Sequence, residues 1–216
     1  MTARKRQLNP WLSIPASDYE GHMGSPSVRQ LEFLSAVLGE ILEEFRPASV
    51  LLLGCATGNG IERIEAGRVR RLIGLDINQD YLGICRERHG GRIPGMELVC
   101  ADVASFELEP ASMDFIYAAL FLEYVDPAVV VEKASRWLKP RGIFAVVLQL
   151  PGGTPGKVSE TGFTSLKALE PVINLVHPEY LGRLVRSGGF SRVRSKRMKL
   201  ESGKKFFAGV YRLETS

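Results

Sequence analysis

The chain has 216 residues, of which 45% are hydrophobic and 24% charged, with a formal net charge of +4. A chain of that size buries enough apolar surface for one core without disulfides or a structural metal, and these fractions exclude a disordered or fibrous protein. The three cysteines, Cys55, Cys85 and Cys100, are an odd number without CxxC spacing, which argues against a disulfide framework and for a reducing compartment.

The basic start, MTARKRQLNP, is not followed by the apolar stretch of a signal peptide. The longest apolar runs, such as IFAVVLQL, fall far short of the ~18 residues a membrane span requires. The expectation is a cytoplasmic protein without a membrane partner, one domain over residues 1–216, present as a monomer or homodimer. NPWLSIPASDYEGHM has no clear period and two prolines, and reads as a loop or short helical arm. Ser25-Pro26 then opens a helix, serine as N-cap and proline at the first helical position. Leu31, Leu34, Leu38, Ile41, Leu42 and Phe45 give that helix one apolar face, and Pro47 ends it. Residues 1–46 thus form an arm and helix that cap the domain.

From there strands and helices alternate. Residues 49–54, 71–76, 96–102, 113–120 and 143–150 are nearly continuous in hydrophobicity, as in strands covered on both faces. Helices are predicted over 59–66, 78–89 and 127–138, the last opened by Asp126-Pro127. This alternation predicts a Rossmann-like, doubly wound α/β sheet, mostly parallel. The end breaks the rhythm. PEYLGRLVRSGGF is a helix closed by Gly188-Gly189, and FSRVRSKRMKL and KKFFAGVYRL flank Glu201-Ser202-Gly203 as an antiparallel hairpin, for seven strands in all. Residues 183–216 hold ten Lys or Arg against Glu201 and Glu214. Such a face attracts nucleic acid, but no aromatic residues interleave with RVRSKRMK, and solvated edge strands are the favoured reading.

The strongest local signal is Gly54-Cys55-Ala56-Thr57-Gly58-Asn59-Gly60 directly after the first strand. A sharp strand-to-helix turn of small residues lets a ligand approach the backbone, and a helix starting near Asn59 would point free N–H groups at it. The GxxxGxG spacing is not the dinucleotide GxGxxG, and there is no GK[ST]. The glycine spacing and the terminal hairpin both disfavour a nicotinamide oxidoreductase. Asp76 ends the second strand, where a carboxylate can accept from two ribose hydroxyls, and Asp102 ends the third, within reach of an adenine amino group. Ligands of open α/β sheets bind outside the carboxyl ends of the strands, so the loop, Asp76 and Asp102 converge on one crevice.

VLLLGCATGNG, IGLDIN, CADVASFEL, MDFIYAALFLEYVDP and LKPRGIFAVVL, in that order, resemble the successive motifs of class I S-adenosylmethionine-dependent methyltransferases over residues 48–150. The arm is similar to that of small stand-alone bacterial and archaeal members. The resemblance implies S-adenosylmethionine as cofactor and S-adenosylhomocysteine as product. It implies that Gly54, Cys55, Ala56, Gly58 and Asn59 line the methionine portion, and that Asp76 holds the ribose. Ile77 would pack on adenine, Asp102 and Val103 would contact its edge, and Ala118 and Ala119 would lie beneath the sulfonium. In two places the chain departs from the family pattern. Leu52 replaces an acidic residue that braces the loop, and Ala56 replaces glycine, a change that is tolerable at negative φ.

Methyl transfer relies on alignment of acceptor, methyl and sulfur, with a general base only where the acceptor must lose a proton. Tyr19, His22, Glu123 and Tyr124 are the candidates around the methyl, and no metal is called for. Trp11 is read as a packing anchor for the arm. Residues 151–177 form a Gly/Pro-rich lid insertion in which Phe163 and His177 are further candidates for substrate contact, and His89 is read as a partner of its helix dipole. With no appended recognition domain, the acceptor is expected to be a small molecule. The alternatives are an RNA or protein methyltransferase and a non-catalytic S-adenosylmethionine-binding protein.

Overall fold

A computed structural model describes residues 9–152 and 156–215. The basic residues 1–8, and residues 153–155 of the expected lid, lie outside the described residues. Seven strands form one sheet: β1 Ser49–Leu53, β2 Arg71–Asp76, β3 Met96–Cys100, β4 Met113–Ala119, β5 Leu138–Leu150, β6 Phe190–Lys199 and β7 Lys205–Leu213, in the order β3-β2-β1-β4-β5-β7-β6. The first five run parallel, and β7 is antiparallel to both β5 and β6. The chain progression reverses between β1 and β4, which opens a crevice at their carboxyl ends.

Among the described residues there are five α-helices, α1 Ala16–Gly24 in the arm and α2 Gln30–Phe45, α3 Gln79–His89, α4 Pro127–Trp137 and α5 Pro178–Ser187 against the sheet. Successive side chains of a strand point to opposite faces. Val50 and Leu52 of β1 accordingly meet Leu34, Leu38 and Ile41 of α2, while Leu51 and Leu53 share the other layer with Val130 and Trp137 of α4 and Leu181 of α5. Every residue of β1 is buried, which explains why its sequence shows no alternation.

Two predicted helix starts fail. Ser25 does not open α2: it closes α1, its N–H donating to His22 O, and its own carbonyl accepts from Val28 and Arg29. Arg29 stands at φ 49, outside helical space, so α2 begins at Gln30. No α-helix forms over 59–66 either. Gly58 and Gly60 adopt φ values of 94 and 93, and only a single 3-10 turn, Ile61–Arg63, follows. Bonds from Arg63 N to Gly60 O and Ile64 N to Ile61 O bury Ile61 and Ile64 at a spacing of three. β5 begins earlier than residue 143 because a bulge accommodates Lys139–Gly142: Met113 pairs with Leu138, and Phe115 next with Ile143.

Candidate functional site

The loop after β1 is shaped from below and pinned from the side. Gly54 N and Cys55 N both donate to Leu75 O, at 2.8 and 3.1 Å, folding the loop over the end of β2. A Cβ on Gly54 would meet the Phe121 ring at 2.7 Å, at a φ of 67, so only glycine fits here. Ala56 adopts φ 46, contrary to the negative φ under which alanine is tolerable, and therefore carries left-handed strain. Its N–H donates to Asp76 Oδ2 at 2.9 Å, and Asp76 Oδ1 accepts Asn78 N at 2.9 Å. Burial raises the Asp76 pKa, and backbone donors at Asn78, Ala56 and Ile77 oppose the shift. Asn78 caps α3, accepting from Asp80 N and Tyr81 N, which leaves Asp76 directed at the loop.

The arm roofs this loop. Asn78 Nδ2 donates to Trp11 O at 2.8 Å, and Tyr81 OH donates to Ile14 O at 3.0 Å. Trp11 stands edge-on to Tyr124 at 5.1 Å and to Tyr19 at 6.1 Å, and Tyr19 lies 5.4 Å from Tyr81. Glu20 of α1 accepts Thr57 Oγ1 at 2.5 Å and forms a two-pronged ion pair with Arg88. The loop without an acid at position 52 is thus braced by carboxylates at Asp76 and Glu20, one of them from the arm. Residues 156–173 complete the roof. Ser165 Oγ donates to Asp18 Oδ2 at 2.6 Å, and His22 Nδ1 lies 2.9 Å from Thr161 Oγ1.

Beneath the roof lies a cavity over the carboxyl ends of β1, β2, β4 and β5. Of the residues singled out in the sequence, Tyr19, His22, Gly54, Ala56, Asp76, Ile77, Asp102, Val103, Ala119, Glu123 and Tyr124 line it. Four do not. Cys55 packs beneath Gly74, Gly58 faces His89 and Cys85, Asn59 Nδ2 donates to Leu31 O, and Ala118 is fully buried in the core. Phe163 lies against Gly21 of the arm, and His177 is an exposed residue at the start of α5.

At the far end of the cavity Glu123 is 1% exposed. Its Oε1 accepts Gln149 N at 2.8 Å, while Oε2 is buried without a hydrogen-bond partner among the described residues. Burial pushes its pKa up to about 7, suiting it to take or give a proton near neutrality. Burial also raises Tyr124, whose phenol stays protonated. Burial and the neighbouring Lys204 charge lower His22 to about 4, so its imidazole is neutral. Among the described residues no group of three His, Cys, Asp or Glu is placed to hold a metal ion, and no helix is long and apolar enough to cross a membrane.

Gln30, Gln149 and Lys204 also line the cavity, outside the residues that the motifs point to. Gln149 had a signal: it is the one polar residue in IFAVVLQL. Lys204 had none, since a lysine in a hairpin turn is ordinarily solvated.

Comparison with known proteins follows the same lines. Residues 51–146 match a family described as the methyltransferase domain. A trans-aconitate 2-methyltransferase of Methylobacterium nodulans is 35% identical over 107 residues, 49% of this chain. The chain spans only 39% of that relative's length. The N-methyltransferase NodS of Bradyrhizobium japonicum WM9, solved with S-adenosylhomocysteine, superposes with a TM-score of 0.65 at 15% identity, over 88% of this chain and 89% of NodS. The [4+2]-cyclase SpnF gives a TM-score of 0.68 at 15% identity, over 86% of this chain and 81% of SpnF. These two likenesses concern the fold, which is shared by a transferase and a cyclase. The methyltransferase-domain match thus falls on the strands that build the crevice, and over that stretch the chain is similar to methyltransferases.

Proposed function

We propose that the protein transfers a methyl group from S-adenosylmethionine to a small-molecule acceptor. The observation that carries this reading is one roofed cavity with Asp76 and the glycine loop at one end and the half-satisfied carboxyl of Glu123 at the other. Its residues fit the cofactor. An ionised carboxylate offers about four acceptor positions; Asp76 uses one on each oxygen for backbone N–H groups, leaving the others for ribose hydroxyls. Ile77 and Val103 supply apolar flanks for adenine, and Asp102 an acceptor at its edge. Gly54, Ala56 and Ala119 face the methionine portion, while Cys55, Gly58, Asn59 and Ala118 shape the loop and floor from behind.

Bound S-adenosylmethionine supplies an activated methyl on a sulfonium. The chain aligns the acceptor and excludes water by its roof. Tyr19 and Tyr124 wall the transfer region, neutral His22 offers its second ring nitrogen, and Glu123 accepts the proton of a hydroxyl or ammonium acceptor. The closed roof favours a small acceptor, as does a relative named for trans-aconitate. Two of the basic side chains of β6 are engaged, Arg194 with Glu44 and Arg197 with Glu179, which leaves less of that face for nucleic acid. The second reading, a cofactor binder without transfer, is favoured by Leu52 and by the strained Ala56.

Thermal unfolding with S-adenosylmethionine, S-adenosylhomocysteine and NAD tests the reading. Ligand at ~100 times its dissociation constant adds about 2.7 kcal/mol, a rise of roughly 5–11 °C for a domain of this size. A shift with the two sulfur compounds and none with NAD supports it, and no shift with either sulfur compound refutes it. A methylation screen of small acceptors then separates transfer from idle binding.

A further inference from the structure

Among the described residues, the cavity contains a buried cation with no counter-charge. Lys204 lies in the turn between β6 and β7, is 4% exposed and lines the cavity. Burial alone displaces its pKa, downward to about 8, so the ammonium form persists at neutral pH without a carboxylate beside it among the described residues. The acids nearby are otherwise engaged. Glu201 of the same turn faces outward and pairs with Arg29 at 3.1 Å, and the Glu123 carboxyl, anchored through Oε1 by Gln149 N, exerts no resolved pull on Lys204. That Arg29–Glu201 pair ties the start of α2 to the hairpin turn, bringing up the next residue, Gln30. Gln30 is 2% exposed, lines the same cavity, and its Nε2 has no partner among the described residues. Burying an unpaired charge and an unpaired amide is costly, and both line the same cavity.

The sheet register sets Lys204 apart from the glycine loop. Gln149 pairs with Phe206 and Leu150 with Lys205, so Lys204 stands one residue past the ladder, on the β5 side where Glu123 is anchored. The cofactor loop follows β1, three places away in the order β1-β4-β5-β7, or about 14 Å at the usual strand spacing. We propose that the methyl acceptor carries a carboxylate or an equivalent anionic group, anchored by the ammonium of Lys204 and the amide of Gln30. The apolar side chains of Leu166, Leu169 and Ile173, which also line the cavity, take the rest of the molecule. This inference rests on the methyltransferase reading, and it names the acceptor class that reading leaves open.

The test uses full-length protein saturated with S-adenosylhomocysteine near neutral pH. It is titrated with glutarate, 4-hydroxybenzoate and trans-aconitate, and with glutaramide and 4-hydroxybenzamide as uncharged controls, while the unfolding midpoint is followed. At least one carboxylate is expected to raise the midpoint and its amide not. Lys204→Met weakens that response about tenfold or more, the effect of losing one charged hydrogen bond, and Lys204→Arg restores part of it. S-adenosylhomocysteine affinity stays the same in all three proteins. Should Lys204→Met fail to fold, Gln30→Glu, which sets a carboxylate against the ammonium, is expected to abolish the response instead. A carboxylate response unchanged in the variants overturns the inference, as does wild-type protein blind to all three carboxylates. A large loss of S-adenosylhomocysteine affinity in Lys204→Met also overturns it, by assigning Lys204 to the cofactor's own carboxylate. If wild-type protein does not bind S-adenosylhomocysteine at all, the methyltransferase reading falls first and this inference with it.

Discussion

Glu20 of α1 accepts the Thr57 hydroxyl of the glycine loop at 2.5 Å, so the arm and the loop share a carboxylate. Arg88 of α3 holds that carboxylate from the other side and, by hydrogen bonding, keeps its pKa below the usual carboxylate range. The contact joins three segments that the sequence separates widely, and it couples roof closure to loop geometry. A double-mutant cycle of Glu20→Ala and Thr57→Val is expected to show a coupling of about 0.5–2 kcal/mol in urea unfolding, as for contacting pairs generally. The Glu20 variant is also expected to bind S-adenosylhomocysteine more weakly, by calorimetry. Strict additivity of the two substitutions would remove the brace.

Ala56 makes a different prediction because its difficulty lies in the backbone. At φ 46 its Cβ costs about 1–2 kcal/mol of left-handed strain. Glycine would relieve that strain while adding about 0.4–1 kcal/mol of unfolded-state entropy. Ala56→Gly is therefore expected to raise stability by up to about 1 kcal/mol in urea unfolding, where the same substitution at a negative φ destabilises. Ala56→Val, with a branched side chain at positive φ, should lose stability and S-adenosylhomocysteine affinity together.

Asp76 holds the loop through acceptors alone. Asp76→Asn turns one acceptor into an amide donor that faces either Ala56 N or Asn78 N. Leaving a buried donor unsatisfied costs about 1–3 kcal/mol, so urea unfolding should register a loss of that order. Weaker S-adenosylhomocysteine binding is expected beyond what the stability loss explains, since the proposed ribose acceptor is altered too. Wild-type affinity in this variant would remove Asp76 from the cofactor site.

Much of this architecture is legible in the sequence, for physical reasons that also define where legibility stops. β1 and β4 are buried on both faces, so SVLLL and MDFIYAA announce themselves as continuous apolar runs. The caps Asn78 and Asp126 act locally, each accepting from N–H groups two or three residues on. Ser25-Pro26 misleads because the Ser25 carbonyl accepts from Val28 N and Arg29 N, closing a turn that leaves Arg29 at φ 49. Residues 59–66 mislead because Ile61 and Ile64, spaced as in a helix, satisfy a 3-10 turn equally well. Asp76, Asp102 and Glu123 can be placed because strand ends place them. Lys204 and Gln30 cannot, since their burial depends on the arm and the hairpin meeting over the sheet, a long-range event without a local signature.

Glu123 gives the clearest pH signature. Its carboxyl has an ordinary value of 4.5 and is pushed up to about 7 by burial. Between those values the folded protein holds a proton that the unfolded chain has released, so the stability this group contributes is fully present below about pH 4.5 and is lost as pH rises through about 7. The shift corresponds to a change on the order of 3 kcal/mol at most. His22 acts in the opposite sense. Its folded value near 4 lies below the ordinary 6.5, so its contribution grows as pH rises from about 4 to 6.5, and the wild-type profile blends the two. The difference between wild type and Glu123→Gln cancels His22. Urea unfolding of the unliganded proteins at about pH 5 and pH 8 is therefore expected to show the variant gaining on wild type at the higher pH. Parallel profiles would mean that Glu123 does not titrate in this range, and would leave the proposed transfer without its proton acceptor. Where the difference appears, Glu123→Gln should also lower the methylation rate for hydroxyl or ammonium acceptors and spare acceptors that carry no proton to lose.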